Sequence, residues 1–436
     1  METVKVGLVG FGTIGTGVAR VLLENGDRVT RKAGKRVELA KVVDTDTKRD
    51  RGLALPDGLL SNDLSQITKD AEIKVAIELI GGLEPARTIV LQLLESGKDV
   101  VTANKALLAE HGAELFNRAR KLGRSIAFEA SVGGGIPIIA AIGQCLSANQ
   151  IRSIHAILNG TSNYILTQME DQGAGYEAAL ANAQKLGYAE PNPAMDVDGS
   201  DAAQKLAILA QLAFGARVPW KNIARVGITA VDLADIRYAK ELGYRIKLLA
   251  VAELVPEGLE LHVSPTLVRH GTPLAEVREN FNAIRVVGDA VGRVFFHGQG
   301  AGQMPTASAV VADVIDTVVG RAAITFRTLE LWSDHREAPV SARDSAKVAG
   351  RYYLRLTVED RPGVLAEIAG ILGRHGISIA SVIQHETVGG GEGAEGAVPL
   401  VIMTHRATEG AMHKSMAAID KSPFVRPKSV RMRVRE

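Results

Sequence analysis

The run Gly10-Phe11-Gly12-Thr13-Ile14-Gly15 narrows the fold of this chain more than any other feature. It follows an apolar, β-branched segment at residues 4–9 and opens a helical pattern that carries Val18 and Leu22. In that strand–turn–helix setting the three glycines have separate tasks. Gly10 permits a tight turn, Gly12 lets the backbone approach a pyrophosphate, and Gly15 allows the helix to pack closely, with the helix N-terminus facing the negative charge. Phe11, Thr13 and Ile14 complete a turn expected to hold a nicotinamide dinucleotide, NAD(P)H. A glycine-rich turn with no ligand explains the glycines but not the agreement of strand, motif and helix.

The first third of the chain continues in the same rhythm. Residues 37–43, 74–80, 99–102 and 125–128 read as further strands between helical patterns, which implies a parallel sheet with helices on both faces. Asp44 ends the second strand, where an acid would bond the ribose 2′-hydroxyl of NAD and repel the 2′-phosphate of NADP. Lys48 and Arg49 lie just behind it and would suit that phosphate, or would simply be solvated turn residues, so the coenzyme choice stays open. The organisation expected is a Rossmann-type α/β domain at 1–130 with a return helix at about 305–325, and an α+β catalytic and dimerisation domain at 131–330. A linker at 331–350 and a ferredoxin-like βαββαβ domain at 351–436 follow. In the second domain, residues 283–287 and 293–296 suggest a hairpin around Gly288-Asp289. In the last, Asp360 is the expected N-cap, Leu365, Ile368 and Leu372 the buried helix face, and Gly376 the stop, with a glycine-rich loop at 389–396.

Composition removes several classes. Lys and Arg total 51 against 49 for Asp and Glu, a formal charge of +2, which gives no electrostatic argument for a nucleic-acid partner. Cys145 is the single cysteine, so no intrachain disulfide and no cysteine-rich metal site is available. No apolar run is long enough for a membrane span, and the N-terminus leads straight into the first strand without a basic leader, so a cytoplasmic protein is expected.

Two clusters carry chemistry. Lys105 follows Val100-Val101-Thr102-Ala103-Asn104 at a strand end, on the side of a doubly wound sheet where ligands bind, where it would orient a carboxylate or relay a proton; a surface lysine fits the pattern as well. Asp201 and Lys205 stand at i and i+4 on an apolar helix, the acid in the favourable N-terminal position. Alone, that pair reads as a solvated ion pair, and with Glu190, Asp196 and Asp198 nearby the carboxylates resemble a metal site. None of the ten histidines lies there, and hydride transfer needs no metal.

The runs VTANKALLA from Val101, FEASVGGGIPII from Phe128, LNGTSNYIL from Leu158, LGYAEPNPAMDVDGSDAAQKLAIL from Leu186 and GAGQMPTASAV from Gly300 resemble homoserine dehydrogenases. The likeness spans nearly all of residues 1–325, and residues 352–385, with Asp360-Arg361-Pro362-Gly363, are similar to ACT domains. It implies reversible NAD(P)H-dependent reduction of L-aspartate 4-semialdehyde to L-homoserine, in threonine and methionine biosynthesis. On that resemblance Lys205 is the proton donor, Asp201 orients it, and Lys105 assists binding and proton relay. Glu190, Asp196, Tyr188 and Thr161 hold the amino acid, and Gly81, Lys105 and Gly302 join the glycine turn in contacting coenzyme. It also implies a monovalent cation such as sodium on the carbonyls of Glu129, Val132, Gly134 and Ile136, a homodimer or homotetramer, and an amino-acid effector, threonine first, at the ACT domain. Asn192 departs from the family, which commonly has an acid there. The competing enzyme, a phosphorylating semialdehyde dehydrogenase, needs a cysteine nucleophile, and Cys145 reads instead as a core residue. The competing class is a catalytically silent Rossmann/ACT amino-acid sensor, which would have no need of Lys105 and Lys205.

Overall fold

The structure is a computed structural model that describes residues 1–334, 338–385 and 396–435. The chain forms two compact units, one of Met1–Ile154, Asp201–Ile223 and Phe281–Ser341, the other of His155–Ser200, Ala224–Asn280 and Ala342–Glu436.

In the first unit the β-branched segments form a six-stranded parallel sheet in the order Leu60–Ser61, Arg36–Val43, Thr3–Val9, Ile73–Glu78, Asp99–Thr102, Ile126–Ala127. The chain moves outward to one side of Thr3–Val9 and then returns to build the other side, so the strand order reverses there. Such a switch point leaves a crevice at the carboxyl ends of the strands. Every strand expected in this third is present, with ends shifted by a few residues; Leu60–Ser61 is too short to leave a periodic signal. Helix Gln303–Val318 packs on helix Thr13–Glu24, where a Cβ on Gly17 would stand only 2.8 Å from Gln303 Cγ. Ala307, Val310 and Val314 thereby share one core with Val18 and Leu22. The hairpin is also as expected, Phe281–Gly288 pairing antiparallel with Gly292–Gln299.

Cys145 corrects the sequence reading. The helix after Pro137 opens into a π-turn at Ala141–Cys145, and this widened last turn leaves Cys145 exposed rather than in the core.

In the second unit the long hairpin Tyr244–Val255 and Gly258–Arg269 is buried through its middle. The C-terminal strands run in the order Val425–Arg435, Ala349–Glu359, Ala397–Thr404, Ile379–Ile383, with helices Val364–Arg374 and Glu409–Ile419 packed on one apolar core. This is the βαββαβ arrangement. Its last strand also pairs in parallel with the long hairpin, Thr266 to Val268 against Arg433 to Arg435. Two local expectations fail. The N-cap of helix Val364–Arg374 is Gly363 at φ 94°, not Asp360, because the turn enters the helix through a left-handed residue that glycine tolerates. The buried face is Val364, Ile368, Ile371 and Leu372, which leaves Leu365 exposed. Gly376, at φ 71°, follows the helix end as expected. Most of the glycine-rich loop at 389–396, all but Gly396, lies outside the described residues.

Candidate active site

The three glycines meet three different surroundings. Gly10 has φ 96° and donates its N–H to Val43 O at 2.8 Å; a Cβ there would lie 2.6 Å from the Leu79 backbone. A Cβ on Gly15 would stand 2.0 Å from Gly10 O, so the helix cannot seat against the turn with any side chain there. Around Gly12 nothing lies within 4 Å of where a Cβ would be, and its φ of −74° suits any residue. Helix Thr13–Glu24 has no side-chain cap at this end, which leaves its first amides to an anionic group. Phe11, Thr13 and Ile14 lie on this turn, and Gln303 Nε2 donates to Thr13 O at 3.0 Å, bringing the neighbouring Gly302 (φ 125°) to the same place. Gly12→Val is therefore expected to fold with an unchanged melting temperature and to bind NADPH at least about tenfold more weakly, whereas Gly15→Val is expected not to fold; fluorescence titration beside thermal melts checks both.

Asp44 is tied to this turn. Its Oδ2 accepts from Phe11 N–H at 2.6 Å, and its Oδ1 accepts from Asp46 N–H at 2.9 Å. Arg51, unforeseen from the sequence, donates to Asp44 Oδ1 at 3.3 Å and lies over the Phe11 ring at 5.1 Å from its centroid. Lys48 and Arg49 form a solvated turn instead, their amides donating to Asp46 Oδ1 at 3.1 Å each while their side chains are exposed.

Glu78 is the second residue that sequence reasoning missed. Fully buried at the end of its strand, it accepts from Ile80 N–H at 2.8 Å, Gly81 N–H at 3.3 Å and Thr102 Oγ1–H at 2.7 Å. Thr102 Oγ1 in turn accepts from Asn104 N–H at 3.0 Å, and the Asn104 side chain donates to Gly82 O at 2.8 Å and caps helix Lys105–Lys121 by accepting from Leu107 N–H at 3.1 Å. The network fixes the loop of Gly81 against the helix start that carries Lys105. Only the alternation of Glu78 with its apolar neighbours could have suggested a buried acid.

Lys105 and Lys205 converge on one carboxylate. Lys105 Nζ lies 3.1 Å from Asp201 Oδ1, and Lys205 Nζ donates to Asp201 Oδ2 at 2.7 Å. Asp201 is buried and Lys205 nearly so, while Lys105 is half-exposed. The i,i+4 pair on helix Ser200–Phe214 is thus no solvated surface pair: a third residue, 96 positions earlier on another helix, completes it. A buried carboxylate holding two ammonium groups orients both and keeps a proton donor available.

The remaining residues implied by the resemblance group within the second unit. Asn159 Nδ2 donates to Asp196 Oδ1 at 2.8 Å, Ser162 Oγ donates to Asp196 O at 2.8 Å, and Thr161 Oγ1 donates to Tyr188 O. The Tyr188 ring stands edge-on to Tyr164, centroids 5.0 Å apart. Tyr188 and Glu190 are exposed and Asp196 half-buried. Asn192, the departure from the family, accepts from Ala194 N–H at 3.3 Å and helps form the loop.

The candidate cation loop is stiff. Gly134, at φ 55°, would place a Cβ 2.5 Å from Gly300 O; Gly135 N–H donates to Gln299 O at 3.0 Å and Ile136 N–H to Gly133 O at 2.9 Å. The Glu129 carboxylate accepts the Ile139 and Ala140 amides at 2.8 Å each, so that side chain is engaged at a helix start, and burial pushes its carboxyl upward. Among the described residues no cluster of three His, Cys, Asp or Glu side chains could hold a metal ion. Backbone oxygens are what the loop has to give, and such neutral, hard donors fit an alkali cation.

A homoserine dehydrogenase NAD-binding model matches residues 10–129, a homoserine dehydrogenase catalytic model residues 137–315, and an ACT model residues 352–413. The homoserine dehydrogenase of Pseudomonas aeruginosa is 43% identical, with 100% of each chain covered. The chain belongs to the homoserine dehydrogenase family. It is accordingly an NAD(P)-dependent oxidoreductase acting on a CH–OH group. The crystal structure of a homoserine dehydrogenase from Thiobacillus denitrificans superposes with a TM-score of 0.91 at 40% identity, covering 100% of this chain and 99% of that one. A hyperthermophilic archaeal homoserine dehydrogenase solved in complex with NADPH gives a TM-score of 0.62 at 27% identity over 72% of this chain and 97% of that one. No described helix is long and apolar enough to cross a membrane.

Proposed function

We propose that the chain reversibly reduces L-aspartate 4-semialdehyde to L-homoserine, with Lys205 as the proton donor. The observation that carries this reading is the Asp201 carboxylate holding Lys205 at 2.7 Å and Lys105 at 3.1 Å. Bound NAD(P)H supplies the hydride. As the carbonyl carbon accepts it, charge develops on the aldehyde oxygen, and the Lys205 ammonium stabilises that charge and gives up its proton. Asp201 fixes the ammonium; in the oxidation direction the neutral lysine takes the proton back from the homoserine hydroxyl. Lys105 assists substrate binding and returns the proton from solvent, consistent with its half-exposed position. Glu190 and Asp196, with Tyr188 and Thr161, hold the amino-acid end of the substrate. The carbonyls of Glu129, Val132, Gly134 and Ile136 would hold a sodium-like cation. The retained lysines disfavour a silent sensor.

Coenzyme choice is set at Asp44. Arg51 offsets the acid that would otherwise repel a 2′-phosphate, so both coenzymes are accepted. Arg51→Ala is expected to raise KM for NADPH about tenfold more than KM for NADH; equal changes would remove Arg51 from the discrimination.

The ACT domain pairs with a second copy, making at least a dimer, and its Asp360–Gly363 turn holds an effector amino acid, threonine. NADPH oxidation with aspartate semialdehyde, with and without millimolar threonine, tests both readings. No turnover would overturn the enzyme assignment. Turnover with no inhibition and no calorimetric binding of threonine would overturn the effector alone.

A further inference from the structure

A cavity of 420 Å³ lies in the second unit, where strands Gly258–Arg269, Val425–Arg435 and Ala349–Glu359 face helix Glu409–Ile419 and the turn Ser345–Lys347. It is separate from the Asp360–Gly363 turn, which lines another pocket. Its walls are built rather than incidental. Glu409 accepts from Tyr352 Oη–H at 2.9 Å and from Arg433, and also pairs with Arg431. The guanidiniums of Arg431 and Arg433 lie 5.9 and 5.5 Å from the Tyr352 ring centroid. Gly410 lets the helix approach Ala346, whose carbonyl oxygen would be 3.1 Å from a Cβ there, and Glu409 N–H donates to Val348 O at 2.8 Å. Arg225 lines the rim from a short strand paired with Val263.

Two features point to a ligand. Three guanidiniums, of Arg225, Arg431 and Arg433, line the cavity, and Glu409 supplies the one carboxylate in its lining. His262 also lines it, 3% exposed, with Nδ1 3.2 Å from Ser264 Oγ and with Nε2 buried and lacking a hydrogen-bond partner. Burial, reinforced by Arg433, Arg435 and His155, keeps this imidazole neutral. Nε2 is thus a buried polar atom without a partner, which costs free energy until one fills it; in the tautomer where Ser264 Oγ–H donates to Nδ1, Nε2–H is a donor awaiting an acceptor.

We propose that this cavity binds a small dianion, a short dicarboxylate or a phosphate monoester, whose oxygens take the Arg225, Arg431 and Arg433 guanidiniums and the His262 Nε2–H. Guanidinium forks match carboxylate and phosphate geometry alike, so both sources share the recognising chemistry. The bound anion bridges the C-terminal module and strand Gly258–Arg269, and so stabilises the chain against heat.

Calorimetry on the full chain at constant ionic strength, with succinate and with inorganic phosphate as probes and threonine as a zwitterionic control, tests this. Succinate or phosphate is expected to bind once per chain and to raise the melting temperature, and tighter binding of one identifies the source as carboxylate or phosphate. Arg225→Ala, at an exposed position, is expected to fold normally and to weaken binding at least about tenfold; His262→Phe, which removes the buried donor, is expected to do the same. Absence of binding by both anions at millimolar concentration overturns the proposal. So does binding that neither substitution changes.

Discussion

Lys205→Ala is expected to lower kcat by about two to four orders of magnitude, the usual worth of a positioned general acid, and to leave the dissociation constant of NADPH unchanged. On the proposed roles the two effects separate: the Gly10–Gly15 turn would hold coenzyme, whereas the proton would reach the aldehyde oxygen from the ammonium that Asp201 holds at 2.7 Å. Lys205→Arg is expected to fall nearly as far. A guanidinium keeps its proton at neutral pH, so it supplies charge without supplying the transfer. Lys105→Ala is expected to cost less in kcat and more in KM, since Lys105 Nζ lies 3.1 Å from the other oxygen of the same carboxylate and is half-exposed. Steady-state rates with aspartate semialdehyde, beside fluorescence titration of NADPH, read all three. Turnover of purified Lys205→Ala within threefold of the parent would remove Lys205 from the mechanism.

The parts of the site that were legible in the sequence are those written in short, local runs. The glycine motif announced its turn because each glycine answers a different local constraint: a positive φ at Gly10, open space at Gly12, and a 2.0 Å approach at Gly15. Asp201 and Lys205 were legible as an i,i+4 pair, but their burial was not, since it depends on Lys105 reaching the same carboxylate from a distant helix. Glu78 and Arg51 were invisible for the same reason. Glu78 acquires its role from Thr102, and Arg51 from a ring at Phe11, partners that no pattern of neighbouring residues encodes. The βαββαβ order could be read from periodicity, whereas the helix start within it could not. Asp360 has cap chemistry, yet the left-handed Gly363, three residues later, takes the position; Ile368 and Leu372 stay buried, while Val364 rather than Leu365 joins them. Cys145 was misplaced because helical periodicity takes 3.6 residues per turn for granted, and the wider π-turn at Ala141–Cys145 breaks it.

Asp235→Ala is expected to destabilise the fold strongly while leaving a chain that still folds. Asp235 is fully buried on helix Leu233–Glu241 and accepts from Arg355 Nε at 2.7 Å, Arg355 Nη2 at 2.9 Å and Tyr353 Oη at 3.0 Å. It also closes the capping box of that helix by accepting from Asp232 N–H at 3.0 Å. Burial pushes its carboxyl upward and the Arg355 guanidinium pulls it back, so the pair persists as ions only while both are present. Truncating Asp235 strands Arg355, about nine-tenths buried, with only the half-exposed Asp232 to answer it, and leaves the Tyr353 hydroxyl without its acceptor. Breaking a buried pair in this way costs about 3–5 kcal/mol. Asp232→Ala should cost nearer about 1 kcal/mol, the worth of a helix cap, since its charge is half-solvated. The double change Asp235→Leu with Arg355→Met should recover most of the loss, because removing both charges removes the desolvation penalty together with the attraction. Urea midpoints of the three variants decide it: a single-variant loss below about 1 kcal/mol, or a double variant no better than the single, would mean that the bridge does not hold strand Ala349–Glu359 to helix Leu233–Glu241. If it does hold them, Asp235→Ala should also weaken any threonine response in proportion, because an effector bound at the C-terminal module can bias another part of the chain only through contacts that differ between its states.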